Sequence, residues 1–231
     1  MTPQSSQIAK GVQKWWLKNI VSLILAGAIL FLASGKLTWG MAWVYLASLV
    51  AILIANAIIM DPDLLVERSQ LQAGTKKWDV ALVSFVAVWG PGLIWLTAGV
   101  YIRFGWTTNL TWLLQIGALA LVVAGGLLVT WAMATNQYFS ATVRIQAERN
   151  QHVVNQGPYK YLRHPGYTGA IVSMVMTPLA LRSLVALLPG ILVAFGYIVR
   201  THLEDRVLQN EFDGYEEYTH KVRYRLIQGI Y

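Results

Sequence analysis

The stretch GPYKYLRHPGYTG (157–169) packs three tyrosines, Lys160, Arg163 and His164 between two turn dipeptides, Gly157-Pro158 and Pro165-Gly166. Side chains of these kinds can hold a soluble, charged, ring-bearing ligand. Tyrosine faces accept an adenine or a cation, and a guanidinium pairs with an oxyanion. Pro165 biases His164 toward an extended backbone, which is expected to aim its side chain and carbonyl away from the following helix. Gly166 and Gly169 would let another backbone or a flat ligand approach that helix. The same residue types also anchor proteins at head-group depth, so the loop alone leaves both readings open. Two further features add weight to chemistry. Glu204 follows an apolar block, with Arg200 one helical turn earlier, and ionisable residues at a membrane edge are functional candidates. An i, i+4 Arg–Glu pair is by itself a common helix device; its coincidence with the loop and with the tyrosine-rich tail EFDGYEEYTHKVRYRL (211–226) is what counts.

These residues must be positioned by very apolar elements. The chain of 231 residues carries 13% charged side chains, where a soluble domain has about a quarter. Its apolar residues fall in blocks near the ~20 residues needed to cross a bilayer. The expected class is all-α: a polytopic membrane helix bundle of about six spans. The blocks are 19–33 (after an interfacial pair, Trp15-Trp16), 38–60, 80–101 (kinked at Gly90-Pro91-Gly92), 110–134, 167–181 and 184–199. The last two are separated by Arg182-Ser183 and read as a tight helical hairpin. The basic leader (Lys10, Lys14, Lys18) resembles a signal peptide's start, but the charge pattern works with the first span retained.

With both ends on one side, that side collects 15 of the 18 Lys and Arg residues, leaving Lys36, Arg103 and Arg182 opposite. This bias places both termini in the cytoplasm and accounts for the net charge of +7 as topology and attraction to anionic lipid. The long polar segments 61–79, 135–166 and 200–231 then share the cytoplasmic face, so function belongs there.

Several classes fall away. No cysteine is present, which removes disulfides and thiol catalysis. The basic residues are dispersed and carry no nucleic-acid motif. There is no G-x-G-x-x-G after a strand, against a soluble Rossmann-type enzyme. His152, His164, His202 and His220 have no zinc-ligand spacing, and Asp61-Pro62-Asp63 reads as a helix stop. No metal is expected.

The region 136–231 resembles the isoprenylcysteine carboxyl methyltransferase family and its phospholipid N-methyltransferase relatives. The resemblance is carried by NQYFSATVRIQ (136–146), QHVVNQGPYKYLRHPGYTG (151–169), Arg200-x-x-x-Glu204, Leu208, FDGYEEY (212–218) and VRYRLI (222–227). DPDLLVER followed by GTKKWD is similar to the second cytoplasmic loop of bacterial members, which points to a bacterial inner membrane. The resemblance implies S-adenosylmethionine as cofactor, in a pocket made by the loop, the last two spans and a C-terminal helical tail. It divides the chain into transmembrane helices (1–134) and a methyltransferase core (135–231).

The cofactor residues it implies are Gln151, Val153, Val154, Gly157, Tyr159, His164, Pro165, Tyr167, Gly169 and Glu204. Arg163, Arg200 and Glu204 form the expected catalytic set, with the Arg163 fork suited to the cofactor's carboxylate and Glu204 to an ammonium or hydroxyl. Asn136, Gln137 and Ser140, at the end of the fourth span, are expected on the substrate side. His152 is read as a solvent-facing or interfacial side chain. Gln228 stands where the family tail has proline, which leaves the final turn open. The expected partners are membrane lipids and a lipidic or hydrophobic small-molecule acceptor, whose nucleophile is a carboxyl, an amine or another group. A membrane sterol-type reductase using NADPH, and a non-catalytic lipid-binding member of the fold, are the alternatives.

Overall fold

A computed structural model describes residues 3–106 and 110–231. The helices are α1 (Pro3–Ser34), α2 (Gly40–Ile59), α3 (Pro62–Ser69), α4 (Lys77–Ser84), α5 (Gly90–Arg103), α6 (Trp112–Thr135), α7 (Pro165–Ala180), α8 (Leu187–Glu211) and α9 (Tyr215–Lys221). No strand forms among the described residues. Five helical stretches are long and apolar enough to cross a membrane: α1, α2, the continuous 77–103 rod, α6 and α8. At 16 residues, α7 is shorter, and it forms with α8 the hairpin expected from the sequence. Their outer faces expose Leu17, Ile24, Leu32, Ile58, Trp112 and Phe195, a coat that fits lipid rather than water.

Local chemistry sets the element ends. Asp61 caps α3 by accepting from the Asp63 amide at 2.9 Å, with Pro62 in the first turn; the Asp-Pro-Asp stop therefore also starts a helix. The bend expected at Gly90-Pro91-Gly92 is a π-helical turn over Phe85–Trp89, where the Gly90 amide reaches back to the Phe85 carbonyl. A proline at 91 has no N–H to continue the regular ladder, and the widened turn precedes it. Two spans depart from their sequence boundaries: α1 begins far earlier than residue 19, and α8 runs to Glu211 rather than ending near Val199. That extension carries Glu204 and Asp205 as helical residues. Trp15, expected at the interface, is buried with Leu64 and Leu65 of α3, because α3 folds back along the start of α1.

The polar segments gather at one end of the bundle. Lys14 Nζ bonds Gln70 Oε1 at 3.3 Å, Arg68 Nη1 reaches the Ser140 carbonyl at 3.3 Å, and Lys76 Nζ bonds Glu211 at 2.7 Å. At the other end Lys36 Nζ meets the Ile102 carbonyl. Between them α6 and α7 approach so closely that a Cβ on Gly169 would sit 2.4 Å from the Gly125 carbonyl oxygen. Small residues allow this contact within a membrane, and it places the start of α7, hence the 157–169 loop, against the end of α6.

Candidate active site

The loop is tied to the tail by backbone pairing. The Arg163 and His164 amides donate to the Tyr224 and Arg225 carbonyls, each at 2.9 Å. Thr168 Oγ1 donates to the Leu226 carbonyl at 2.7 Å, and the Tyr218 hydroxyl donates to the Tyr159 carbonyl at 2.7 Å. The final turn forms with Gln228 in place: the Leu226 and Ile227 amides reach the Tyr231 carbonyl at 2.8 and 2.9 Å. Burial pushes the hydroxyls of Tyr159, Tyr215 and Tyr218 well above the ordinary phenol range, so all three stay protonated. His164 differs from expectation. Its carbonyl accepts from the Tyr167 and Thr168 amides as the first acceptor of α7, and its ring turns toward α8.

There it meets Asp205, a fully buried carboxylate with five donors. Oδ1 accepts from the Tyr215 hydroxyl at 2.9 Å and lies 3.3 Å from His164 Nε2. Oδ2 accepts from Arg163 Nη2 at 3.0 Å, Arg225 Nε at 2.8 Å and Gln209 Nε2 at 2.7 Å. A carboxylate only accepts, so the histidine contact places the imidazole proton on Nε2. Buried charge of this kind persists when it is paired and fully hydrogen-bonded. Asp205 was not anticipated from the sequence, although it is adjacent to Glu204.

Its saturation changes the expected role of Arg163. The guanidinium fork is occupied by Asp205 and by the Val222 carbonyl, 3.3 Å from Nη1. Arg163 Nε is left: among the described residues it is the one buried side-chain polar atom with no hydrogen-bond partner. A buried orphan donor calls for an acceptor.

Arg163 borders a cleft of about 830 Å³, counting its open mouth. Of the residues singled out from the sequence, Gln151, Val153, Val154, Tyr159, Arg163, His164, Tyr167 and Glu204 line it, together with Asn136 and Ser140. Apolar surface comes from Phe139, Val143, Leu208 and Phe212. His152 is exposed, as expected, yet stands at the cleft, with Nδ1 2.9 Å from the Tyr138 hydroxyl.

Gly157, Pro165, Gly169, Gln137 and Arg200 stand outside the lining. Gly157 takes φ +52° beside Thr135, Pro165 is buried in the first turn of α7, and Gly169 meets Gly125. Gln137 is exposed and donates to the Tyr138 hydroxyl at 2.9 Å. Arg200 does not pair with Glu204. It chelates Asp79 of α4, with Nε to Oδ1 at 2.6 Å and Nη2 to Oδ2 at 2.9 Å. Its guanidinium lies 5.1 Å over the Tyr167 ring. Glu204 instead accepts from the Tyr167 hydroxyl, and the Tyr167 ring stacks on His164 at 5.6 Å.

Residues the sequence reading passed over hold the far wall. Arg144, buried at the cleft, is chelated by Glu67 at 3.0 Å through both Nε and Nη2 and meets Glu148 at 2.7 Å. Burial works against its charge, but these carboxylates hold its pKa above the ordinary arginine value. Ser140 donates to the same Glu67 at 2.9 Å. The available signal for Glu67 and Asp79 was their place in DPDLLVER and GTKKWD, acids at the ends of apolar spans.

Helices fit to cross a bilayer, closed at one end by a polar cleft of interlocked ion pairs, define an integral membrane protein. Residues 118–210 match the isoprenylcysteine carboxyl methyltransferase (ICMT) family, and this segment, from α6 through most of α8, carries that family's pattern. Two rice proteins, each named "Probable protein-S-isoprenylcysteine O-methyltransferase", from Oryza sativa subsp. indica and subsp. japonica, are 27% identical to the chain over 114 residues. The alignment covers 48% of this chain and 60% of each relative.

Proposed function

We propose that the protein is an S-adenosylmethionine-dependent methyltransferase of the membrane, acting at the cytoplasmic face on a lipidic or hydrophobic small-molecule acceptor. One observation carries the reading: a cleft bounded largely by the family's matched segment is lined by Arg163, whose Nε has no partner, by the Glu204 carboxylate and by tyrosine rings, beside the apolar side chains of Phe139, Val143, Leu208 and Phe212. These groups fit the cofactor. Glu204 suits its ammonium, Arg163 Nε offers a single N–H to its carboxylate, and Tyr159 and Tyr167 present ring faces to adenine or sulfonium. When bound, S-adenosylmethionine supplies a methyl group that passes to the acceptor's lone pair as its carbon–sulfur bond breaks, leaving S-adenosylhomocysteine.

The chain's own work is binding, alignment and exclusion of water. Phe139, Val143, Val153, Val154, Leu208 and Phe212 give part of the cleft a hydrocarbon lining, and an apolar surface does not oppose a transfer in which an anionic nucleophile and a cationic donor neutralise each other. Asn136 and Ser140 lie on the side expected to take the acceptor. The fork of Arg163 and the His164 ring act through Asp205, holding the loop to the tail. Arg200 acts from behind Tyr167. In this reading residues 135–231 form the methyltransferase core, on a base of helices from 1–134, and the clustered basic residues keep the cleft and both termini on the cytoplasmic side of a bacterial inner membrane.

The test is transfer of radiolabelled methyl from S-adenosylmethionine into a total lipid and small-molecule extract, with identification of the labelled product, alongside thermal shifts with S-adenosylhomocysteine and NADPH. Labelled product and stabilisation by S-adenosylhomocysteine are expected. Stabilisation by NADPH alone would overturn the proposal in favour of a reductase.

A further inference from the structure

Asp79 and Arg200 are 121 residues apart in the chain, and the sequence segment matched to the family includes only the second of them. Asp79 is fully buried near the start of α4. Beyond its two bonds to Arg200, its Oδ2 accepts from the Val143 amide at 2.7 Å. Arg200 Nη2 in turn donates to the Ala141 carbonyl at 2.9 Å, and the Lys76 amide donates to the Val143 carbonyl at 2.9 Å. Thr142 and Val143 are cleft wall, so one carboxylate and one guanidinium grip that wall from both ends. The guanidinium also lies over the Tyr167 ring, and the Tyr167 hydroxyl donates to Glu204. The register of the pair is set below by helix packing. A Cβ on Gly90 would come within 2.1 Å of Val193, and one on Gly196 within 2.8 Å of Val86, so the 77–103 rod and α8 cross with almost no slack.

We propose that Asp79 is a positioning residue for methyl transfer. By fixing Arg200 between the 141–143 wall and the Tyr167 ring, it sets the orientation of the Tyr167–Glu204 pair at the cleft. The proposal rests on the methyltransferase reading above. Its physical content is that the ion pair does more than hold helices together. A buried pair that serves stability alone can be replaced by neutral groups of similar volume with little loss, whereas removing one partner strands a buried charge.

The experiment compares Asp79→Asn, Arg200→Gln and the double variant Asp79→Asn/Arg200→Gln in detergent. It measures melting temperature, S-adenosylhomocysteine affinity, and the rate of labelled methyl transfer into the extract at saturating S-adenosylmethionine. Asp79→Asn is expected to melt well below the wild type. In the double variant melting temperature returns most of the way, because neither charge is left alone, while the transfer rate stays depressed at least tenfold more than S-adenosylhomocysteine affinity. Recovery of both melting temperature and rate in the double variant overturns the proposal and leaves a structural ion pair. A transfer rate within twofold of wild type in Asp79→Asn overturns it as well. A wild-type protein that neither binds S-adenosylhomocysteine nor transfers methyl overturns the parent reading, and this one with it.

Discussion

Glu204 and Asp205 are consecutive acids on α8, and the two sides of the helix they occupy have opposite economies of hydrogen bonding. Successive residues point about 100° apart around a helix. Asp205 turns toward the 163–164 corner and the tail, is inaccessible to solvent, and accepts from five donors. Glu204 turns toward the cleft and, among the described residues, accepts from one, the Tyr167 hydroxyl. A carboxylate has about four lone-pair sites, so Asp205 is saturated and Glu204 is not. The comparison teaches that charge and sequence position do not separate an acid committed to the fold from one with acceptor capacity to spare; the count of donors already satisfied does.

The most severe way to break the contrast is Asp205→Asn. Arg163 and Arg225 would lose a buried anion, and stranding a buried charge costs about 3–5 kcal/mol. The expected result is a large fall in melting temperature with release of the tail from the loop, seen as faster proteolysis after residue 211. A variant that melts like the wild type would show that the five-donor hub is dispensable.

Glu204→Gln should behave the other way. The amide oxygen still accepts from Tyr167, so melting temperature should stay near the wild-type value. S-adenosylhomocysteine affinity or transfer rate should fall roughly ten- to a hundredfold, the equivalent of the ~1.5–3 kcal/mol carried by a hydrogen bond to a charged group. Unchanged affinity and rate in a destabilised variant would make Glu204 another structural acid.

Arg163→Lys sits between the two. The ammonium keeps a charge for Asp205 but cannot also reach the Val222 carbonyl, and it loses the Nε donor. The expected cost is about 1–1.5 kcal/mol of stability, near that of one hydrogen bond, with a several-fold loss of S-adenosylhomocysteine affinity. Arg163→Ala should lose more of both. If lysine matched arginine in affinity, the orphan Nε would have no part in binding.

Much of this was legible in the sequence, for identifiable reasons. Apolar blocks gave the bundle and the hairpin because bilayer thickness imposes a length. The loop's prolines and glycines marked its corners, and ten residues expected at the site line one cleft. The partners of its arginines were not legible. Arg200 and Glu204 satisfy the i, i+4 rule, and that local rule pointed to a pair that the fold does not make; Asp79, 121 residues away, outcompetes Glu204 because a dry two-point chelation is available there. Arg163 looked free for a ligand because nothing local shows that Asp205 will face it once α8 extends past the expected membrane edge. Trp15 looked interfacial because its burial depends on α3 folding back over α1.

The smallest expected effect tests whether ion pairs in this protein matter by position or merely by number. Lys76 and Glu211 meet at 2.7 Å, as short as the buried contacts, and join the same two segments as Asp79 and Arg200, but their side chains are 31% and 45% exposed. Water already solvates both charges there, and holding two long side chains in one geometry costs entropy, so such a pair contributes about 0.2–1 kcal/mol at most and less in salt. Lys76→Gln keeps the backbone amide that donates to Val143 and removes only the ammonium. Its melting temperature and transfer rate are therefore expected to match the wild type at 0.15 M salt, in contrast to Asp79→Asn three positions later in the chain. A loss comparable to that of Asp79→Asn would mean that linking the 61–79 segment to α8 is itself what sustains the cleft, and that the buried geometry around Arg200 adds nothing specific.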